Sequence, residues 1–276
     1  MNSIALNPDS RRLHSIVPCL LIALFFFSGC AGKPWTGALP EEEYAQVAEE
    51  LEEIHRRDTA CPASFTGDLA LFYRTPLQSQ AVKGYLQFSM PNAYRFVVTN
   101  PLGQPLLMIA GNQSSYQAIN TFEKKYLAGS IRSYAIRRGI PLYLTEGLWG
   151  DWLTARFSGS SGEIAELRQD RAGRGIWVSF TGEEKKDNPS QRLLLDRQRG
   201  LILTRILEDR RGKSLAEISY SDWLSQDGCH QPQHIAVSGL DYGVEISLQL
   251  DNLLFSDAAE TFELPIPRGY LRQYLP

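Results

Sequence analysis

Between residues 65 and 255 the chain is cut into strand-length pieces by turn formers, and this rhythm restricts it to one extended sheet. Phe65–Tyr73, Val82–Met90, Tyr94–Asn100, Leu106–Gly111 and Tyr116–Asn120 are short and rich in β-branched and aromatic residues. Turn formers such as Met90-Pro91-Asn92 and Gly111-Asn112 separate them, the pattern of an antiparallel meander. Residues 123–155 interrupt it with two helical segments, Ser130–Arg138 and Leu144–Leu153, joined through Gly139-Ile140-Pro141. Strands then resume over Glu163–Arg168, Gly175–Thr181, Gln191–Asp196, Ile202–Asp209, Ser214–Leu224, Gln233–Leu240 and Val244–Phe255. Residues 196–200 and 238–243 read as hairpin turns, and no internal repeat is present. About a dozen strands with so few helices must curl to bury one face. Helices inserted in mid-sheet can cover the opening, and the mouth of such a barrel is a common place for an apolar ligand.

A helix precedes the sheet. Pro40 opens it, Glu41, Glu42 and Glu43 suit the positive end of its dipole, and Arg56 and Arg57 suit the other end. Tyr44, Val47, Ala48, Leu51 and Ile54 form one apolar stripe.

The first thirty residues have the three parts of a secretory signal: Arg11 and Arg12, the apolar run Ile16–Phe27, and small residues after it. The run is shorter than the roughly 20 residues that a helix needs to span a bilayer. Phe27-Ser28-Gly29-Cys30 resembles the lipobox of bacterial lipoproteins, with Phe27 where Leu is commonest. That resemblance implies a signal peptide over 1–29, a lipidated Cys30, a Gly/Pro tether over 30–39 and a domain over 40–276. Two or more acyl chains make such an anchor stable. Ala31 is not the aspartate that retains lipoproteins in the inner membrane, which favours the outer membrane.

With Cys19 in the signal and Cys30 lipidated, Cys61 and Cys229 remain, either bridged or as two thiols, in a disulfide-permissive compartment. Basic and acidic residues number 28 and 31, and no segment is densely basic, so nucleic acid is not an expected partner. Apolar residues at 43% can supply a core and a lined cavity together.

No catalytic constellation stands out. Cys229, His230 and His234 lie in an expected turn and lack a second cluster to complete a metal site. Gly159-Ser160-Ser161-Gly162 lacks the spacing of a nucleophile elbow, and Gly173-Arg174-Gly175 that of a dinucleotide loop. Glu183–Asp187 reads as a solvated charge run. The chain is expected to work without enzyme activity, cofactor or metal.

Alternation instead nominates a lining. Val82, Leu86 and Phe88 share one face of their strand, Phe96 and Val98 one face of the next, and Leu107 and Ile109 follow. Trp149 and Trp152 are candidates from the covering helix. Alternation cannot say whether the barrel is filled or hollow. Pro101-Leu102-Gly103-Gln104-Pro105 is a stiff turn with an apolar tip. Leu102 either contacts a membrane or acyl chain, or folds back into the core.

Three stretches carry a family likeness: Ala93–Gly103 with its Thr-Asn-Pro-Leu-Gly ending, Gly139–Leu142 with the tryptophans after it, and the pair Pro232–Ile235 and Val244–Asn252. Together and in this order they resemble the LolA/LolB-like lipoprotein localisation family. The resemblance implies a half-open antiparallel β-barrel of about eleven strands with helices forming a lid. It implies a monomeric receptor that takes the acyl chains of lipoproteins from a periplasmic LolA-like carrier and inserts them into the outer membrane. It places the functional apolar loop residue at Leu102. The tail from Phe255 to Pro276 and the longer loops after residue 158 depart from the family. They leave open a carrier of another lipid, or an envelope sensor or structural lipoprotein using the barrel as an interaction module.

Overall fold

The computed structural model describes residues 33–145, 147, 149–158, 163–181 and 189–275. Cys30, the signal segment and the stretches 159–162 and 183–187 lie outside the described residues. In chain order the elements are β1 (Trp35–Ala38), α1 (Glu42–Ala60), β2 (Ser64–Arg74), β3 (Ser79–Ser89), β4 (Ala93–Thr99), β5 (Pro105–Gly111), β6 (Ser115–Asn120) and β7 (Lys125–Ser130). Then come α2 (Ile131–Arg138), α3 (Leu142–Thr145), α4 (Trp149–Thr154), β8 (Ile164–Asp170), β9 (Ile176–Phe180), β10 (Ser190–Asp196) and β11 (Leu201–Glu208). β12 (Ser214–Gln226), β13 (Cys229–Ser238), β14 (Glu245–Ser256) and β15 (Leu271–Leu275) complete the chain.

Among the described residues, fifteen strands join one sheet in the order β1-β8-β9-β10-β11-β12-β13-β14-β2-β3-β4-β5-β6-β7-β15. The two ends of that order are different strands and do not pair, so the barrel is half-open. Every pairing is antiparallel except that of β15 on β7. The hairpins β2–β3, β4–β5, β6–β7, β11–β12 and β13–β14 turn at one rim, called the upper rim below. The hairpins β3–β4, β5–β6, β8–β9, β10–β11 and β12–β13 turn at the lower rim.

The sheet has more strands than the eleven of the resemblance, and three of them fall where the sequence pattern is silent. β7 lies inside the stretch expected to interrupt the sheet, because Ala128, Gly129 and Ser130 give it no alternating pattern. Within the expected tether, residues 35–38 form β1: Trp35 is buried against Trp177, Leu194 and Ile206 on the outer face, so the chain pairs with β8 before α1 begins. The tail crosses the outer face of β5–β7, where Leu264 packs with Ala110, Ile119 and Tyr126, and β15 then extends the edge. The expected helix 144–153 is broken into α3 and α4, with Gly147 against the Trp152 ring between them. Cys229, His230 and His234 lie in β13 rather than in a turn.

The main core lies on the inner face, on the side that α1 covers. Val47, Leu51 and Ile54 of α1 pack with Phe65, Leu69, Leu167, Val178, Leu193, Leu195 and Ile235. The apolar stripe of α1 buries itself as its spacing requires, and the helix runs one turn past it so that Asp58 is also buried. Cys61 at the end of α1 is joined by a disulfide to Cys229 at the start of β13, with a Cα–Cα distance of 5.6 Å. The bridge ties α1 to strands 168 residues further on. Among the described residues no helix is long and apolar enough to cross a membrane.

Candidate functional site

The seven strand candidates lie on one continuous face. Val82 pairs with Leu71, Leu86 with Phe96, Gly84 with Val98, Phe96 with Ile109 and Val98 with Leu107; Phe88 faces Phe65. Directly paired residues point to the same side of a sheet, so the pairings carry one apolar stripe across β2–β5. The stripe continues through Leu248 and Ile235 to the α1 side.

Burial divides this stripe. Leu86 and Phe88 belong to the buried core, with Phe96 and Trp152 packed at its margin. Val82, Val98, Leu107 and Ile109 are half-buried and lie beyond that cluster. The inner face is therefore closed into the core at the α1 end and part-exposed over β3–β5, while Tyr116 and Ala118 of β6 are buried again beyond it. Trp149 is 47% exposed, its ring 6.2 Å from that of Trp152.

The helices form a strap over this face. Ser130 caps α2 by accepting the Ser133 N–H at 3.3 Å, and Gly139 ends it in the left-handed conformation at φ 65°, which glycine adopts without a Cβ penalty. Tyr134 of α2 packs edge-on against Tyr116 of β6, with centroids 5.2 Å apart. Tyr143 of α3 donates its hydroxyl to the Leu215 carbonyl of β12 at 3.4 Å. The segment thus crosses from β7 at the lower rim to β12 at the upper rim. α4 returns to the lower rim, where the Gly150 N–H donates to Asn92 Oδ1 at 3.2 Å.

Beneath α4 a polar knot fastens the strap to the core. The fully buried Arg205 projects from β11 among the apolar side chains of the inner face and donates to the Arg156 carbonyl at 3.0 Å and to Gln191. The Phe157 N–H donates to Asp58 at 3.1 Å, and Gln231 donates to the Leu153 carbonyl at 3.0 Å. Burial pushes the Asp151 carboxyl up, against the opposing pull of the Arg205 guanidinium and of hydrogen bonds from Ser158. These groups hold one another and fix where the lid attaches. Among the described residues no group of three or more His, Cys, Asp or Glu side chains could hold a metal.

Leu102 sits at the tip of the β4–β5 hairpin and is 83% exposed. Asn100 Oδ1 accepts the N–H groups of Leu102 and Gln104 at 3.0 and 2.9 Å, and the Gly103 N–H donates to the Asn100 carbonyl at 2.9 Å. Gly103 at φ 78° permits this reversal. Leu102 is held out in solvent rather than folded into the core. Two equally exposed tips, Leu77 (96%) and Phe122 (89%), were not indicated by the pattern of the sequence, although each is an apolar residue amid turn formers.

Two other hollows are larger than a crevice. One of about 720 Å³ lies between α1 and the β10–β11 turn and is lined by Glu49, Glu50, Glu53, Arg56 and Arg197. Another, of about 680 Å³, lies on the outer face between the tail and β2–β5, with Tyr85, Arg95 and Leu254 on its walls. The first is charged and already internally paired, with Arg197 bonded to Glu50 at 2.6 Å and to Glu43 at 3.0 Å. Neither has the continuous apolar lining of the inner face.

The chain matches no protein-family model and no curated protein sequence. Its fold is similar to three solved structures. A domain assigned to outer membrane lipoprotein sorting, from Vibrio parahaemolyticus, matches with a TM-score of 0.51 at 12% identity over 77% of this chain and 93% of that one. A LolA superfamily protein from Nitrosomonas europaea matches with a TM-score of 0.51 at 13% identity over 78% and 94%. A DUF1329 family protein from Desulfovibrio piger matches with a TM-score of 0.53 at 10% identity over 77% and 92%. At these identities the likeness is one of fold alone.

Proposed function

From a LolA/LolB-like half-barrel whose inner apolar face is only part-filled, we propose a receptor for lipoprotein acyl chains that works without covalent catalysis. The observation that carries this reading is the division of the inner stripe. Leu86 and Phe88 are closed into the core, while Val82, Val98, Leu107 and Ile109 continue the same face half-exposed beneath the α2–α3 strap. An unbranched acyl chain fits such a trough because it needs apolar contact and no directional partner.

In this reading the acyl chains enter between the strap and β4–β6, handed over by a LolA-like periplasmic carrier. Transfer follows the difference in affinity between the carrier's cavity and this trough, and then between the trough and lipid. Leu102, held rigidly at the upper rim, makes the apolar contact through which cargo passes into the bilayer. The lipid expected on Cys30 retains the protein at the periplasmic face of the outer membrane. Depletion of the protein is expected to leave lipoproteins in the inner membrane or periplasm, and native mass spectrometry of the protein from envelopes to find acylated cargo. Correct lipoprotein sorting after depletion, with no acylated ligand bound, would contradict the reading.

A further inference from the structure

Three consecutive hairpins of the upper rim each end in one large apolar side chain. Leu77 tips β2–β3, Leu102 tips β4–β5 and Phe122 tips β6–β7, all more than four-fifths exposed. The closing pairs Arg74–Ser79, Thr99–Pro105 and Asn120–Lys125 place the three turns at the same end of adjacent strands. With strands about 4.8 Å apart, neighbouring tips stand roughly 10 Å from each other along the rim.

Each tip is built to keep its residue out. Thr75 Oγ1 accepts the N–H groups of Leu77 and Gln78 at 3.3 and 3.1 Å. Asn100 does the same for the Leu102 turn, and Asn120 Oδ1 accepts the Glu123 N–H at 2.9 Å. Thr121 Oγ1 donates to the Pro105 and Leu106 carbonyls at 2.8 and 3.0 Å, locking the Phe122 turn beside the base of the Leu102 turn. The neighbours of Leu77 and Leu102 are uncharged (Thr75, Pro76 and Gln78; Asn100, Pro101, Gly103 and Gln104), and Phe122 lies between Thr121 and Glu123.

The same rim carries an excess of cations. The β11–β12 turn holds Arg210, Arg211 and Lys213 around Asp209, and Phe122 is followed by Glu123 and then by Lys124 and Lys125, with Glu123 ion-paired to Lys125 at 2.7 Å. Isolated apolar side chains on polar turns, flanked by cations, match the interface of an anionic bilayer, which accepts each apolar group independently and attracts nearby cations. A protein surface would instead need a separate pocket for each tip at this spacing.

We infer that Leu77, Leu102 and Phe122 together form a membrane-inserting edge that meets anionic phospholipid with the upper rim facing the bilayer. The inference deepens the acyl-transfer reading and takes its purpose from it, but its evidence is the three tips and not the trough. It is also separate from the expected anchor. The Arg171 N–H donates to the Pro34 carbonyl at 2.8 Å and Trp35 pairs with Asp170, so the chain enters the sheet at the lower rim.

The test is hydrogen–deuterium exchange of the full chain carrying Cys30→Ala, with and without vesicles of phosphatidylethanolamine and phosphatidylglycerol. The expected result is slowed exchange in residues 75–78, 100–104 and 121–124, with the lower-rim turns 112–114 and 171–175 unchanged. A triple variant Leu77→Ser, Leu102→Ser, Phe122→Ser is expected to lose this protection while its strand amides stay protected. Protection of the Leu102 turn alone, of both rims equally, or persisting in the triple variant would overturn the inference. So would protection given by a periplasmic carrier protein but not by vesicles. Loss of acyl transfer with tip protection intact would count against the trough and leave the edge standing.

Discussion

The backbone N–H of Leu102 donates to the side-chain oxygen of Asn100 at 3.0 Å, so the most exposed apolar residue of the β4–β5 turn is held by the residue that opens it. The same Asn100 oxygen accepts the Gln104 N–H, and the turn is a built display rather than a loose loop.

Leu102→Glu is therefore expected to leave the fold intact, with stability changed by no more than about 0.5 kcal/mol, while blocking delivery of a model lipoprotein to the outer membrane. Asn100→Ala should cost about 1 kcal/mol and weaken delivery less than Leu102→Glu, because the leucine remains. Urea unfolding and membrane fractionation measure the two effects. Normal incorporation by Leu102→Glu would remove the loop from the account.

The filled and unfilled halves of the inner face differ in stability cost. Phe88→Ala removes a buried ring from the core and should cost about 3–5 kcal/mol. Leu107→Ala, half-exposed and outside that core, should cost about 1 kcal/mol or less while weakening acyl binding. Paired urea titrations with a diacyl lipopeptide binding assay check this. Equal costs would mean that the trough is ordinary core.

The Cys61–Cys229 bridge closes a loop of 168 residues. Its removal by Cys61→Ser with Cys229→Ser should lower stability by about 2–5 kcal/mol, since loop-closure entropy grows with loop length. An unchanged urea midpoint under reducing and oxidising conditions would contradict a stabilising role.

Asp170 carries the clearest pH dependence. Burial pushes its carboxyl up, but hydrogen bonds from the Arg174 guanidinium and N–H and from the Trp177 indole outweigh burial, and the net direction is down. A carboxyl depressed in the native state binds fewer protons there than in the unfolded chain. Its stabilisation is present above the ordinary aspartate value of about 3.9 and is lost as pH falls through the native value. Asp170→Asn should be less stable than the parent at pH 7, with the gap narrowing below about pH 4. A gap of the same size at pH 7 and pH 3 would show that the charge is not responsible.

The sheet was legible wherever one face is buried, because alternation then marks each strand, as in Val82–Phe88 and Phe96–Val98. It was illegible at β1, β7 and β15, which are edge or near-edge strands whose pairing is decided by partners far away in the chain. The face shared by the lining candidates was readable from period two, but its filling was not. How far α1 reaches along that face depends on packing between residues 47–54 and strands more than a hundred residues later. Arg205 stood out only as a charge inside the run Leu201–Leu207, and nothing local could name Asp151, Arg156 and Gln191 as its surroundings. Leu77 and Phe122 escaped notice because single apolar residues in turns are ordinary until the register places them in a row.

The central claim is that acyl chains lie on the unfilled half of the inner face. Its most direct measurement is photo-crosslinking of the full chain with a lipopeptide whose acyl chains carry a photoreactive group, read by peptide mass spectrometry. The account predicts adducts concentrated at Val82, Val98, Leu107 and Ile109 and on the α2–α3 strap, reduced when Val98→Trp fills the trough. Adducts confined to the outer-face groove near Tyr85 and Leu254, or none above background with the protein folded, would contradict it.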